Sequence, residues 1–393
     1  MAKHSLTLDG LADLVRKASA RDGGYSRVTA QLACKWRSGE VTPGRQHVRW
    51  LALALRLPVE MVAAYAQAQR PAPKTSEHPG PLLLLPPDTV DYDYVAAVKQ
   101  CIQQLVRLDN LLGGNDIASV SKRLLVMLQR QLREKRYYPH VELEFRAATA
   151  ELAELTGWLL FDADRHDEAN DVNKQALFLA RSSVDRGMEA LTLINMALEA
   201  QHLQRSREAL AHARCLQQIS CSQSRRVRSV AYLREARALS QLGAESDTKR
   251  AVNRARSLYL DGAHDSDPAW AWWIDDSEFT FHEGMCHAEL GEFGLAIDLI
   301  HQAIDITAPN RIRDGFLYRS YLLDVLAQVS AWQEIEDVGE EILVQVEEIG
   351  SRRALSVLLS ALERTKTSPQ PGVRNAGMHL IETLQSAGYC QTT

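Results

Sequence analysis

Five short polar segments recur along residues 163–335, and their spacing limits what this chain can fold into more than any other feature. They are Ala163–Ala169, Leu203–Ala209, Leu242–Thr248, Leu290–Ala296 and Val329–Ile335, with starts 40, 39, 48 and 39 residues apart. Each lies between two runs whose apolar residues recur every three or four positions, as on one face of a helix. Because one helical hairpin cannot bury its apolar face alone, the pattern predicts stacked hairpins.

Small or apolar residues mark the helix that follows each segment. About seven positions further on stand Ala176, Leu216, Ala255, Ala303 and Ile342. Such residues let two helices of a hairpin pack closely. Tetratricopeptide repeats have a shorter period of about 34 residues, so these units would be long variants. We therefore predict an all-α chain whose main part is a tetratricopeptide-like, right-handed helical solenoid; the alternative is a set of unrelated helical hairpins.

A proline-rich segment divides the chain. Residues 71–87 contain six prolines and one glycine among 17 residues, a composition that excludes a helix interior and is typical of a linker. We predict a small domain at 1–70, a linker at 71–87 and the helical-repeat domain at 88–393. Within the last, residues 88–145 precede the first repeated turn and could form either a degenerate repeat or an adaptor.

Charge differs between the two parts. Residues 1–70 carry 11 Lys/Arg against 5 Asp/Glu, residues 88–393 carry 33 against 44, and the whole chain has a net charge of −5. A basic head on an acidic body suggests that the head meets a polyanion, although an excess of this size can also arise by chance.

The basic head has the order of elements of a helix-turn-helix domain. Apolar residues of LDGLADLVRKAS (8–19) lie on one stripe, and Gly23 and Gly24 end that helix. A second helix running to Gly39 would turn Val28, Leu32 and Trp36 inward, and a third, QHVRWLALALRL, would close the core with Val48, Leu51 and Leu55. In this arrangement the second helix enters the major groove of DNA.

Polar side chains on that second helix are the candidate DNA contacts. Gln pairs with adenine, Thr offers a hydroxyl or a methyl group, and Lys or Arg binds guanine or phosphate. The predicted DNA-binding residues are Arg27, Thr29, Gln31, Lys35, Arg37 and Arg45. The alternative is a small helical bundle with ordinary solvent-facing polar residues.

Both parts also resemble one protein family. Leu32, Trp36, Gly39, Pro43, Leu51, Ala52 and Leu55 fill the places of a Val-x-x-x-Trp-x-x-Gly-x-x-x-Pro…Leu-Ala-x-x-Leu pattern of Xre/Cro-type helix-turn-helix domains. The segments LVRLDNLLGG (105–114), GWLLFDADRHDEA (157–169), ALEAQHLQRSREAL (197–210) and ELGEFGLAIDLIHQAI (289–304) look like the tetratricopeptide body of actinobacterial, Streptomyces-type regulators with such a head. The resemblance implies a transcriptional regulator and does not identify its effector.

Aromatic and acidic residues cluster once, around residues 265–282. Trp270, Trp273, Asp275 and Asp276 are the predicted effector-binding residues, because aromatic and acidic groups together can hold a cationic or peptide ligand. The alternative places the tryptophans in the core of a repeat helix and the aspartates at its N-terminus, where they match the helix dipole.

Catalytic motifs are absent from the sequence. There is no Gly-rich phosphate loop, HExxH or GxSxG, and no His or Cys spacing recurs as in metal sites. We therefore predict no enzyme, no cofactor and no metal. Six scattered Cys without a CxxC pair fit reduced thiols in a cytoplasm, and no apolar run approaches a membrane span or a signal peptide.

These observations predict a cytoplasmic, DNA-binding transcriptional regulator. Its partners would be double-stranded DNA, a second copy of the chain, and a peptide, small-molecule or protein effector on the helical repeats. The alternative is a tetratricopeptide protein-interaction scaffold whose head does not bind DNA. The exposed face of helix 27–37 discriminates between them, because only a DNA reader needs its Thr29, Gln31 and Lys35.

Overall fold

The computed structural model of the protein is built of helices. It describes residues 8–22, 26, 28–37, 43, 45–55, 62, 86–220, 223–259, 267–309, 311–346 and 349–386. These residues form 17 α-helices and two short 3-10 helices, and their only β-pairing is an isolated bridge between Val90 and Tyr137. The all-α prediction is confirmed. By contact, the chain divides into two compact units, Met1–Gly80 and Pro81–Thr393.

Three helices of the first unit surround a small core: α1 (Leu8–Arg21), α2 (Ala30–Arg37) and α3 (Arg45–Leu55). The buried apolar residues are Ala12, Val15, Ala18, Val28, Trp36, Val48, Trp50, Leu51, Ala52 and Val62. Asp22 joins the end of α1 to α3, accepting hydrogen bonds from Arg49 at 2.7 Å and from the Trp50 indole at 3.1 Å. One core prediction is wrong: Leu55 is 36% exposed, at the last position of α3.

Fourteen helices of the second unit follow one another along the described residues. They are α4 (Tyr92–Leu112), α5 (Gly114–Arg133), α6 (Glu142–Asp162), α7 (His166–Ser182), α8 (Arg186–His202), α9 (Ser206–Ile219), α10 (Arg225–Gln241), α11 (Glu245–Tyr259), α12 (Asp276–Glu289), α13 (Phe293–Ile306), α14 (Ile312–Val329), α15 (Trp332–Gln345), α16 (Arg352–Lys366) and α17 (Pro371–Ser386). The 3-10 helices are Pro139–Val141 and Ala269–Trp273.

Each of the five repeated segments begins at the end of one helix and reaches into the next. The second residue of each segment has a left-handed backbone, with φ between 56° and 78°: Asp164, Gln204, Gly243, Gly291 and Ser330. In every case the next backbone N–H donates to a carbonyl five residues earlier, for example Arg165 to Leu160 at 2.9 Å and Ala244 to Leu239 at 3.0 Å. This Schellman geometry satisfies helix-end carbonyls, which gives the sequence repeat its physical cause.

Helix packing explains the small residues that accompany the turns. Ala176, Leu216, Ala255, Ala303 and Ile342 are all at most 1% exposed. Close approach is most evident at Gly157 of α6, where an added Cβ would lie 1.9 Å from the Asn173 side chain of α7. Residues at these positions set the distance between the two helices of a hairpin.

Polar contacts also join the early and late hairpins of the second unit, at a junction that we call the seam. Asp162, at the end of α6, is fully buried and accepts hydrogen bonds from Ser351 at 2.8 Å and from Arg313 and Arg353 at 3.1 Å. Backbones meet here as well, because the Asn115 N–H donates to the Gly350 carbonyl at 3.2 Å. Helices α6 and α16 are therefore in contact although many hairpins separate them in sequence.

Candidate functional site

A cavity of about 860 Å³ lies among the helices of the second unit, and we call it the central cavity. Helices α4, α6, α8, α10, α12, α14 and α16 contribute most of the lining residues. Of the helices between them, only α13 contributes, through its first residue Phe293; none come from α5, α7, α9, α11, α15 or α17. Alternate helices thus form an inner and an outer layer. The volume is within the range of pockets that bind drug-sized molecules.

Aromatic rings form much of the cavity wall. Trp158 and Phe161 of α6, Phe281 of α12 and Tyr318 and Tyr321 of α14 all line it. Phe281 stacks on Tyr318 with ring centroids 4.1 Å apart and 15° between the planes. Such stacked, well-packed rings offer a rigid apolar surface to a ligand.

A buried polar network crosses the cavity between α10, α12 and α14. Arg234 is only 1% exposed, and its guanidinium lies 2.7 Å from His282 Nε2 and 3.2 Å from Glu278 Oε1. The Tyr318 hydroxyl donates to the other Glu278 oxygen at 3.1 Å. Burial and, after it, the neighbouring Arg234 lower the pKa of His282 to about 4, although Glu278 acts in the opposite direction. Burial alone would raise the pKa of Glu278, but His282 and Arg234 outweigh it and lower the pKa.

The seam supplies a second set of charges to the same cavity. Arg313 donates to both carboxylate oxygens of Asp109, at 2.8 and 3.1 Å, and the Trp158 indole donates to Asp109 at 3.1 Å. The Arg353 guanidinium lies over the rings of Phe161 and Trp158, with centroid distances of 4.8 and 5.5 Å. Paired charges and cation–π contacts of this kind hold aromatic side chains in fixed positions.

One acidic group in the wall is held in its neutral form. Glu154 of α6 is buried, and burial raises its pKa to about 8. The Asn195 amide of α8 donates to its Oε1 at 2.5 Å, which lowers the pKa and offsets part of this effect. Near pH 7 a protonated Glu154 can therefore donate a hydrogen bond inside the cavity.

The four predicted effector-binding residues separate into two pairs. Trp270 and Trp273 both line the central cavity and are half-buried, as is expected of residues that also pack against the core. Asp275 caps α12, accepting from the Glu278 backbone N–H at 3.0 Å, and pairs with Arg311. Asp276 is exposed in the first turn of α12 and is not among the lining residues.

The predicted DNA-binding residues lie on or beside α2 and at the start of α3. Thr29 and Gln31 are exposed and Lys35 is half-buried. Thr29 also caps α2, because its hydroxyl accepts from the Leu32 backbone N–H at 3.2 Å. Arg27 and the side chains of Arg37 and Arg45 lie outside the described part of the chain.

Sequence spacing gave no indication of one further cluster, at the turn after α6. Asp164, His166 and His202 each bring one potential metal-ligand atom within 4.8 Å of the others, although 36 residues separate the two histidines. His166 Nε2 lies 2.8 Å from Asp164 Oδ1, and its Nδ1 lies 3.4 Å from Glu199 Oε1. These contacts, first that with Glu199, raise the pKa of His166. Two flanking carboxylates thus favour an imidazolium rather than a metal ligand.

Comparison with known proteins adds no relative: no protein-family model and no curated protein matches the chain. No helix among the described residues is long and apolar enough to cross a lipid bilayer.

Proposed function

We propose that this protein is a transcriptional regulator in which a small helix-turn-helix unit binds specific DNA and a tetratricopeptide-like unit binds an effector. The central cavity is the observation that carries the effector half of the proposal. It is of ligand size, its aromatic wall is rigid, and its polar groups come from seven helices. A scaffold that displays an open surface to protein partners has no need of such a chamber.

The exposed residues of α2 support the DNA half. Thr29 and Gln31 are exposed on α2 or at its start, while Trp36 on the same helix is buried in the core. A short helix with one buried apolar face and one polar face is what major-groove recognition requires. The excess of Lys and Arg over Asp and Glu in residues 1–70 favours approach to phosphates.

Selection of genomic DNA fragments by the purified full-length protein tests the proposal. Salt of about 0.15 M weakens non-specific phosphate contacts, so a specific reader enriches a short shared site. We expect this site to be an inverted repeat with half-sites about 34 Å apart, or a multiple of that, because we propose that two copies bind together. Sedimentation of the protein with the selected DNA measures the number of copies.

A matched pair of variants locates the reading surface. We expect Gln31→Ala with Lys35→Ala to abolish enrichment, and Gln46→Ala with Lys17→Ala, which removes the same residue types elsewhere in the unit, to preserve it. Thr29 is left in place because loss of its cap would cost about 1 kcal/mol of stability. A loss of DNA binding could then not be separated from a loss of folding. Unchanged enrichment in the first variant, or none in the wild type, would favour the interaction scaffold.

A further inference from the structure

Three buried arginines of the central cavity, Arg234, Arg237 and Arg353, keep hydrogen-bond donors without a partner. Arg237 is 6% exposed, and neither its Nε nor its Nη1 has a hydrogen-bond acceptor. Its nearest carboxylate, Glu289, lies 3.6 Å from Nη1, beyond hydrogen-bond distance. Arg353 is 5% exposed, and its Nε is unpartnered. A buried donor without an acceptor costs free energy, so such groups require an explanation.

Arg237 and Arg353 reach the central cavity from two different helices, α10 and α16, and Tyr321 of α14 lines the same cavity. Burial raises the pKa of the Tyr321 phenol, while Arg353 and Arg237 both act to lower it. A ligand in the cavity can therefore meet positive charge from two helices.

Apolar and aromatic surface borders this charged region. Arg353 lies over Phe161 and Trp158, and Leu198 and Met285 line the same cavity. Arg353 donates to Asp162 through Nη2, so its Nε is the donor left for a ligand. The other cavity arginines are held by carboxylates: Arg313 by Asp109, Arg311 by Asp275 and Asp314, Arg364 by Asp324 and Arg234 by Glu278. An anion therefore finds free donors at Arg237 and Arg353 and an aromatic wall beside them.

We propose that the effector is a compact amphipathic molecule with an aromatic or otherwise apolar body and one anionic oxygen group, which Arg237 and Arg353 bind. This inference rests on the proposed role of the cavity as the effector site. A cavity of about 860 Å³ has the size of sites that bind small molecules. Charge-assisted hydrogen bonds from guanidinium groups are strong and suit oxyanions.

Two fluorescent probes that share an aromatic body test the proposal with the full chain. 8-Anilinonaphthalene-1-sulfonate carries an anionic group, and N-phenyl-1-naphthylamine lacks it. We expect Arg237→Gln to weaken binding of the sulfonate about ten-fold or more, since hydrogen bonds to charged groups are lost. Binding of the neutral probe should change less than two-fold, which also shows that the cavity is intact. Arg207→Gln, on the exposed surface of α9, is the control and should change neither.

The outcomes separate this inference from the proposed function. Equal loss of both probes, no loss of either, or failure of the wild type to bind the sulfonate overturns the anion site. Arg237→Lys keeps the positive charge and should recover part of the sulfonate affinity; no recovery would also count against it. Specific enrichment of DNA is measured independently, so a regulator without an anion site, or an anion-binding protein that ignores DNA, is recognised as such.

Discussion

Arg313 binds Asp109 through both terminal nitrogens of its guanidinium, Nη1 and Nη2, across 204 residues of sequence. The same side chain reaches the buried carboxylate of Asp162, so one arginine of α14 joins α4 and α6. Repeat arrays normally place each hairpin against its immediate neighbours only. In this protein the seam adds a long-range contact, and the charges that form it also line the central cavity.

Asp162 should be essential to the stability of the second unit. Asp162→Ala removes the acceptor shared by Arg313, Arg353 and Ser351, and leaves the buried guanidinium of Arg353 without its carboxylate partner. We expect the free energy of unfolding to fall by about 3–5 kcal/mol, the usual cost of breaking a buried ion pair. Urea unfolding followed by circular dichroism measures this. Asp298→Ala, at an exposed position of α13, should change it by less than about 0.5 kcal/mol.

Glu154 should make the folded protein less stable as the pH rises. Its pKa is about 8 when folded and close to 4.5 when unfolded, so the folded state holds a proton that the unfolded state releases between these values. Stability therefore declines from about pH 4.5 to pH 8 because of this group. Glu154→Gln keeps the acceptor for Asn195 and removes the titration. We expect the variant to gain stability over the wild type, by about 1 kcal/mol or more, between pH 5 and pH 8.

The matched control for this pH effect is Glu340→Gln, at an exposed position of α15. Its stability difference from the wild type should be the same at pH 5 and pH 8. A Glu154→Gln variant with an equally flat difference would show that Glu154 ionises normally in the folded protein.

Two helical glycines should respond in opposite directions to alanine. Gly157→Ala places a Cβ 1.9 Å from Asn173, whose amide donates to the buried Glu199. Overpacking of this kind costs about 1–3 kcal/mol. At Gly294 in α13 nothing lies within 4 Å of an added Cβ, so alanine should gain a few tenths up to about 1 kcal/mol through helix propensity. Thermal and urea unfolding of both variants checks the contrast; equal effects would contradict the close α6–α7 packing.

Adjacent aspartates at the start of α12 should differ in importance. Asp275 caps the helix and pairs with Arg311, so Asp275→Ala should destabilise the protein by about 1–2 kcal/mol. Asp276 is exposed within the first turn, and Asp276→Ala should cost about 0.5 kcal/mol or less. Urea midpoints of the two variants give the comparison. A larger loss at Asp276 would show that the cap is not the dominant role of this pair.

Local features of the fold could be predicted from the sequence, because each has a local cause. The repeated segments carry the left-handed residue that ends a helix, and helix periodicity identifies the flanking runs. The seam and the cavity could not be predicted in this way. Asp109 and Arg313 meet only because the hairpins between them bring α4 and α14 together. The spacing of residues in the sequence does not indicate how far apart two distant helices lie in the fold.

The cavity charges did leave a weak signal in the inner helices. Arg234 and Arg237 stand among the buried residues of α10, which include Val230, Ala231 and Leu239. From sequence alone, such residues look like ordinary surface charges. Their burial becomes evident only when the helices that pack around α10 are known. Trp270 and Trp273 stand out in the sequence because aromatic residues cluster rarely. Arginines spaced along a helix are common and do not by themselves indicate a cavity.

The seam also changes which parts of the second unit solvent can open first. In an array with free ends, outer repeats separate one by one and their amide hydrogens exchange early. Here Asp162 of α6 binds Arg353 of α16, and Asp109 of α4 binds Arg313 of α14, so the helices near the two ends of the unit hold each other in place. The amide hydrogens of the first and last hairpins should therefore exchange as slowly as those of the middle hairpins. The second unit should unfold as one cooperative unit.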